Sequence, residues 1–476
     1  MAENNDSDIS WQQSAAQKRA AVSALIPDAW RISQVACLHE ILFDTAVAEA
    51  ERLDEYFVKH GEPIGPLHGL PVSLKDQFHV KGVETTMGYV GWIGTFQGRP
   101  GTGKEKVFES ELVRELEELG AVVFCETTLA QAVFTCEPLN NIWGYTYSPT
   151  NGRLLAGGSS GGEAALIALP GSPLGIGTDY AGSIRVPASL NGLYGMRPSS
   201  GRLPYQGAAN SNDGHSIINS VLGSMSTSVG ALRVMMQAIL SRQPWLHDPL
   251  VVEMPWRAED YISGRRLSFG ILRQDTEVAP HPAISRAVNL AIAAIEAMGY
   301  EVVEWKPPLH AEMYQLKEEI SACDGGHNIH RDLRLSGEPP VSRILTTFGT
   351  EPKEPKNAME IAELHIRKRE YQKEYMEYWN STTEVTSTGR PVDAFVLPLI
   401  PFTGMRPGWN RFTVRDMDAT ELLTRDFFAV NSSIVSLLDY AACAFPVTVA
   451  DKTVDVVDAG YEPRSERDAY NVVMCT

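Results

Sequence analysis

Residues 157–187 read GGSSGGEAALIALPGSPLGIGTDYAGSIRVP. Two glycine-rich turns, one carrying Ser159 and the other Ser183, flank an apolar helix-like segment at 164–169. Glycines beside a serine let a turn leave backbone N–H groups free to face a developing oxyanion. Upstream, PLHGLPVSLKD at 66–76 reads as a short proline-led strand ending on Lys75. A serine hydroxyl is a poor nucleophile until a base takes its proton, and a serine–lysine arrangement is one solution. Taken singly, Lys75 reads as an ion-paired lysine beside Asp76, and each serine as a turn residue.

Outward from this stretch the chain alternates helix and strand. KEKVFESELVRELEELG at 104–120 predicts an amphipathic helix stopped by Gly120, and AVVFCE follows as a buried strand. VGALRVMMQAIL at 229–240 predicts a helix, and PWLHDPLVVEMPW at 244–256 a proline-rich connection. RLSFGIL, AISRAVNLAIAAIEAMG and YEVVEW then repeat the strand–helix–strand step, expected in the same sheet. AMEIAELHIRKREYQKEYMEYWN at 358–380 predicts a solvated charged helix. VDAFVLPLI and AACAFPVTVA read as short buried strands, with a helix at IVSLLDY before the second. Residues 11–62 read as helical pieces broken at Pro27. This order predicts an α/β fold with a mixed, twisted β-sheet between layers of α-helices. One domain over 1–476 is expected: an N-terminal helical region at 1–60, core motifs at 61–240, a variable region at 241–395 and a returning core segment at 396–476.

Composition narrows the function classes. With 41 Lys and Arg against 59 Asp and Glu, the net charge of -18 argues against nucleic acid or an anionic membrane as the main partner. The six cysteines, Cys37, Cys125, Cys136, Cys323, Cys443 and Cys475, show neither CxxC nor zinc-ligand spacing. The polar start MAENNDSDISWQQ is unlike a secretory signal, and no run of 18 apolar residues occurs. A reduced, cytoplasmic location is expected, and a homodimer is left open.

Two shorter motifs compete. GSSGG at 158–162 satisfies the nucleophile-elbow pattern G-x-S-x-G on Ser160. An α/β-hydrolase esterase would then need a later acid and histidine; His215, His247 and His281 are available, with nothing to single one out, and the second glycine turn keeps no role. GTGKEK at 101–106 lacks the Ser or Thr of a phosphate-binding loop, and GIGTDY lacks the third glycine of a dinucleotide site.

The longer motifs are far more specific. GPLHGLPVSLKD at 65–76, TTMGY at 85–89, NN-x-WG at 140–144, GGSSGGEAAL at 157–166, GSPLGIGTDYAGSIRVP at 171–187 and GLYGMRPSSGRLPYQG at 192–207 occur in order. FPVT at 445–448 fits a late strand, and IP-x-x-W at 26–30 fits N-terminal helices. With these motifs the chain resembles the amidase signature family, most closely its fungal acetamidase-like branch, over about residues 10–465. The resemblance implies that fold and hydrolysis of a carboxylic acid amide to acid and ammonia or amine. It implies a Ser–cis-Ser–Lys triad, with Ser183 as nucleophile, Ser159 bridging and Lys75 as base. It further implies a cis peptide at Gly158–Ser159, an oxyanion hole from the backbone N–H groups of Tyr180, Ala181, Gly182 and Ser183, and supporting roles for Asp179 and Arg185. No metal or organic cofactor is implied, and the partner is a small-molecule amide.

Three departures from the family pattern stand out. DYAGS replaces the usual D-I-G-G-S, so Ala181 would be strained if that position needs φ > 0. ETT at 126–128 replaces KTN, reversing a charge expected beside the pocket wall. The chain ends at YNVVMCT, shorter than is usual for relatives, so the C-terminal cover is expected to be incomplete. Together these keep open a weakened or inactive relative with a binding role.

Overall fold

The computed structural model describes residues 9–26, 35–257, 264–274, 278–408 and 430–475. The expected break at Pro27 and most of IP-x-x-W lie outside the described residues. Ten strands build the two principal sheets. They are β1 (Leu38–Ile41), β2 (Pro71–Lys75), β3 (Val122–Thr127), β4 (Gly175–Asp179) and β5 (Tyr194–Arg197), then β6 (Val221–Ser226), β7 (Ser268–Ile271), β8 (Glu301–Glu304), β9 (Ala394–Val396) and β10 (Ala442–Ala444). The helices begin with α1 (Trp11–Ala24), α2 (Phe43–His60), α3 (Glu111–Glu118), α4 (Gly161–Ala168), α5 (Arg185–Leu190) and α6 (Val229–Ser241). They continue with α7 (Pro282–Ala297), α8 (His310–Ser321), α9 (His327–Arg334), α10 (Ser342–Phe348), α11 (Ala358–Ser381), α12 (Val430–Leu437) and α13 (Glu466–Cys475).

The larger sheet runs β1-β3-β2-β4-β6-β5-β10. Its centre is parallel, β3 with β2 and β2 with β4, and the other pairs are antiparallel, so the sheet is mixed. One face is closed by α3 and α6: Val72, Leu74 and Ile176 from the strands meet Leu112, Leu116, Met235 and Ile239. The opposite face is covered by α4 and α5, where Ile167, Ile184 and Ala188 gather with Met225. Small residues on β4 permit that second layer. A Cβ on Gly175 would fall 1.9 Å from Glu163 Oε2, and one on Gly177 would fall 2.7 Å from Ser160 Oγ. The alternating glycines of GIGTD therefore let the start of α4, with its serines, lie directly on the strand.

The second strand–helix–strand unit does not join this sheet. β7, β8 and β9 form a separate three-stranded parallel sheet in the order β8-β7-β9. α7 covers one side through Val288, Ile292 and Ile295. On the other side Trp305 and Phe395 stack, and Tyr375 and Trp379 of α11 close around them. α11 is therefore more than a solvated cover, since its hidden stripe is aromatic. The same cluster takes in Ile434 and Leu437 of α12 and Tyr180 beside β4, which ties the small sheet to the large one.

Two further expectations change. Residues 38–41, expected within helical pieces, form an antiparallel edge strand on β3. AACAFPVTVA is not a buried strand: only 442–444 pair, along one side with β5, and Phe445, Val447 and Val449 are exposed. A run of apolar residues looks buried in sequence wherever it will lie, and here it continues past the sheet's edge. Among the described residues no helix is long and apolar enough to cross a membrane.

Candidate active site

Lys75 ends β2, and Thr178 lies near the end of the neighbouring β4, so both stand at one edge of the sheet's parallel centre. The turn before α4 delivers Ser159 to the same point. Lys75 Nζ lies 2.7 Å from Ser159 Oγ and 2.7 Å from Thr178 Oγ1. Lys75 and Ser159 are both fully buried. The peptide bond Gly158–Ser159 is cis. Burial pushes the lysine down, while Asp179, Glu163 and Asp76 pull it back up, leaving it at about 7. Near neutrality it is therefore divided between ammonium and free amine, as a base must be.

The second serine follows β4 in the turn 180–184. The N–H of Ser160 donates to the Ser183 carbonyl at 3.1 Å, holding the two serine turns together. Ser183 itself is half-buried, whereas Ser159 is fully buried. Asp179 organises the turn: its carboxylate accepts from Gly182 N–H at 2.8 Å and from Ile184 N–H at 3.2 Å. Arg185 pairs with it through Nε and Nη2 at 3.0 and 2.9 Å. Burial would raise this carboxyl, but Arg185, Arg197 and the Gly182 N–H outweigh that and hold it at about 2. Arg185 also donates to the Ser432 carbonyl and Ser436 Oγ, so α12 braces the turn from behind. Ser432 Oγ reaches the Ala181 carbonyl at 2.7 Å.

Positive φ in this turn belongs to Gly182 (φ 124) and not to Ala181. The strain expected of Ala181 is absent, because the glycine-demanding position is the next one. Among the described residues the N–H groups of Ala181 and Ser183 make no hydrogen bond, whereas that of Gly182 is engaged by Asp179. Tyr180 turns its ring into the aromatic cluster and meets Ser321 of α8 through its hydroxyl at 3.2 Å.

Ser160 is placed differently from a nucleophile. Its Oγ faces the Thr178 carbonyl at 3.3 Å and is fully buried. The candidate histidines are engaged or directed elsewhere: His215 meets Cys323, His281 meets the Asn471 carbonyl, and His247 lies exposed near α6.

Glu126 lies on β3 opposite Leu74, one position before Thr127, which pairs with Lys75. The charges acting on it are those of Asp76, Glu40, Lys18 and Glu163, and neither carboxylate oxygen has a hydrogen-bond partner among the described residues. Burial raises it well above the usual carboxylate range. The reversed charge thus enters a buried acidic cluster beside Asp76. There His39 Nδ1 accepts from Trp143 Nε1, which directs its Nε2–H at Asp76 and Thr86. Sequence spacing offered no signal for this cluster, which is assembled from α1, β1, β3 and the turn that follows β2.

A family model described as Amidase matches residues 20–465. The chain belongs to the amidase family. Its similarity to the acetamidase of Emericella nidulans is 38% identity over 458 residues, covering 95% of this chain and 77% of that protein. Amidase 1 of Gibberella moniliformis is 38% identical over 441 residues, covering 91% of this chain and 78% of the relative. These relatives do not clearly bear out the expected C-terminal shortening. Among solved structures, fatty acid amide hydrolase superposes with a TM-score of 0.80 at 26% identity, over 97% of this chain and 78% of that one. A bacterial aryl acylamidase gives a TM-score of 0.67 at 18% identity, over 93% and 87%, and so shares the fold. With membership in the amidase family goes its general activity, hydrolysis of an amide bond.

Proposed function

We propose that this chain hydrolyses a small carboxylic acid amide through an acyl-enzyme on Ser183, with Ser159 bridging to Lys75 as base. The observation that carries this is the buried Lys75 amine, 2.7 Å from Ser159 Oγ and held near neutrality. Ser183 Oγ attacks the amide carbonyl carbon. Its proton moves to Ser159, whose own proton moves to Lys75 Nζ. The oxyanion is received by the N–H groups of Tyr180, Ala181 and Ser183, while Gly182 N–H keeps the turn in shape through Asp179. As the C–N bond breaks, Lys75 returns its proton through Ser159 to the departing ammonia or amine. Water then attacks the acyl-serine by the same relay and releases the acid. All the groups in this scheme are side chains and backbone amides of the chain itself.

Small aliphatic and aryl amides are the proposed substrate class. Similarity to acetamidases supports it. The test is an alkyl fluorophosphonate probe with peptide mass mapping, alongside ammonia release from a panel of amides. Labelling at Ser183, absent in Ser183→Ala and in Lys75→Ala, is the expected result. Labelling at Ser160 would instead make this an elbow-type esterase, and undiminished labelling in Lys75→Ala would remove the lysine from the relay.

A further inference from the structure

Behind the lysine lies a chain of hydrogen bonds whose direction is set at its far end. Gln77 is 1% exposed, two residues beyond Lys75. Its Nε2 lies 2.8 Å from the Ala209 carbonyl and 2.9 Å from Tyr205 Oη. A carbonyl oxygen only accepts, so the amide nitrogen must face Ala209 and the amide oxygen must point the other way. That oxygen lies 2.7 Å from Thr178 Oγ1. An amide oxygen also only accepts, so the single hydroxyl proton of Thr178 is spent on Gln77. Thr178 can then meet Lys75, 2.7 Å away, only as an acceptor of a lysine N–H.

We infer that Gln77 is a positioning residue for the proposed relay: by claiming the Thr178 proton, it stops that hydroxyl from capping the Lys75 lone pair and leaves the lone pair to Ser159. Without the glutamine oxygen, Thr178 is free to donate to the amine. It would then compete with Ser159 Oγ for the electron pair that must accept the serine proton. The backbone keeps the amide in place, because Ala209 N–H donates to the Gln77 carbonyl at 2.8 Å while the Gln77 side chain donates back to Ala209. This inference rests on the Ser–Ser–Lys reading above, and the test separates the two.

The experiment compares the parent, Gln77→Met, Thr178→Val and the double variant, with ammonia release measured against pH. The lysine Cε resonances of isotope-labelled protein are titrated alongside, with Lys75 assigned through Lys75→Met. Gln77→Met should lower plateau kcat by about 10-fold with KM within about 2-fold. It should also move the acid limb and the Lys75 titration to lower pH, because a donated hydrogen bond stabilises the neutral amine. Asp179, Glu163 and Asp76 are the charged groups acting on Lys75, and they are the same in both proteins. In the Thr178→Val background, where no hydroxyl remains to compete, Gln77→Met should cost no more than about 2-fold in kcat. An equal cost in both backgrounds, or an unmoved Lys75 titration, overturns the inference and makes Gln77 merely structural. Should Gln77→Met lose its cooperative melt, Gln77→Leu, which also removes the amide oxygen without adding a charge, takes its place in the same double cycle. A Lys75 titration moved to lower pH only where Thr178 is present then supports the inference, and an unmoved titration or an equal cost in both backgrounds overturns it. If the parent releases no ammonia from any amide, the proposed reaction fails, while the Lys75 titration still decides the role of Gln77.

Discussion

Lys75 and the turn 180–183 carry the chemistry, and each makes a separate demand on its surroundings. The lysine needs to lose its proton, and burial brings it to about 7. The neutral fraction therefore rises about tenfold per pH unit below that value and levels above it. kcat/KM should show a single-proton acid limb near pH 7 in a series from pH 5.5 to 9, and a slope still rising about tenfold per pH unit at pH 9 would mean that the lysine is not desolvated. The turn needs one residue in the left-handed region, and that residue is Gly182. A Cβ there would sit 2.7 Å from Ser432 Oγ at φ 124. Gly182→Ala should lower kcat by about 10²-fold by misaiming the oxyanion donors. Ala181→Gly relieves no strain and should leave kcat within about 3-fold, with a melting point slightly reduced by the greater freedom of the unfolded chain. A gain in activity from Ala181→Gly would reverse this assignment.

The elements divide labour between the two faces of the large sheet. β3 shows it plainly: Thr127 donates to Glu163 on the α4 side, whereas Glu126 lies with Asp76 in the buried acidic cluster. Burial raises Glu126 above its unfolded value. The folded state therefore binds the extra proton between the unfolded and folded pKa values, and stability falls as pH rises through that window. Glu126→Gln removes this term and should stabilise the protein, by about 1–3 kcal/mol at pH 8.5 and by less at pH 5.5. Urea unfolding of both proteins at the two pH values checks the sign, and an amide variant less stable at both would show that the carboxyl has a favourable partner.

At the scale of the molecule, the aromatic cluster around Trp305 joins the two sheets. Trp305 is 1% exposed and stands among residues from β8, β9, α8, α11 and α12. Trp305→Ala should cost about 3–5 kcal/mol. Calorimetry should show one transition in both proteins, shifted down in the variant, with amidase activity lost along the same curve. Two resolved transitions in the parent would mean that the cluster does not couple the sheets.

The sequence alone determined the α/β class, the two glycine turns and the candidate groups Lys75, Ser159 and Ser183. Turn chemistry and helix periodicity are local properties, written in neighbouring residues and preserved in long ordered motifs. Other features came from tertiary structure, because they depend on which elements meet. Strand spacing cannot tell whether a strand–helix–strand unit enlarges a sheet or starts another, and here the Trp305 cluster fills the position between them. The buried face of α11 is hidden among its charges, and residues 38–41 become a strand only because β3 offers an edge. Ala181 looked strained in sequence, yet backbone geometry moved that demand to Gly182. Gln77 and Thr178 lie 101 positions apart and gained a role only when adjacent strands placed an amide oxygen against a hydroxyl. Hydrogen-bond direction is a property of atoms within about 3 Å of one another, and folding alone supplies that proximity.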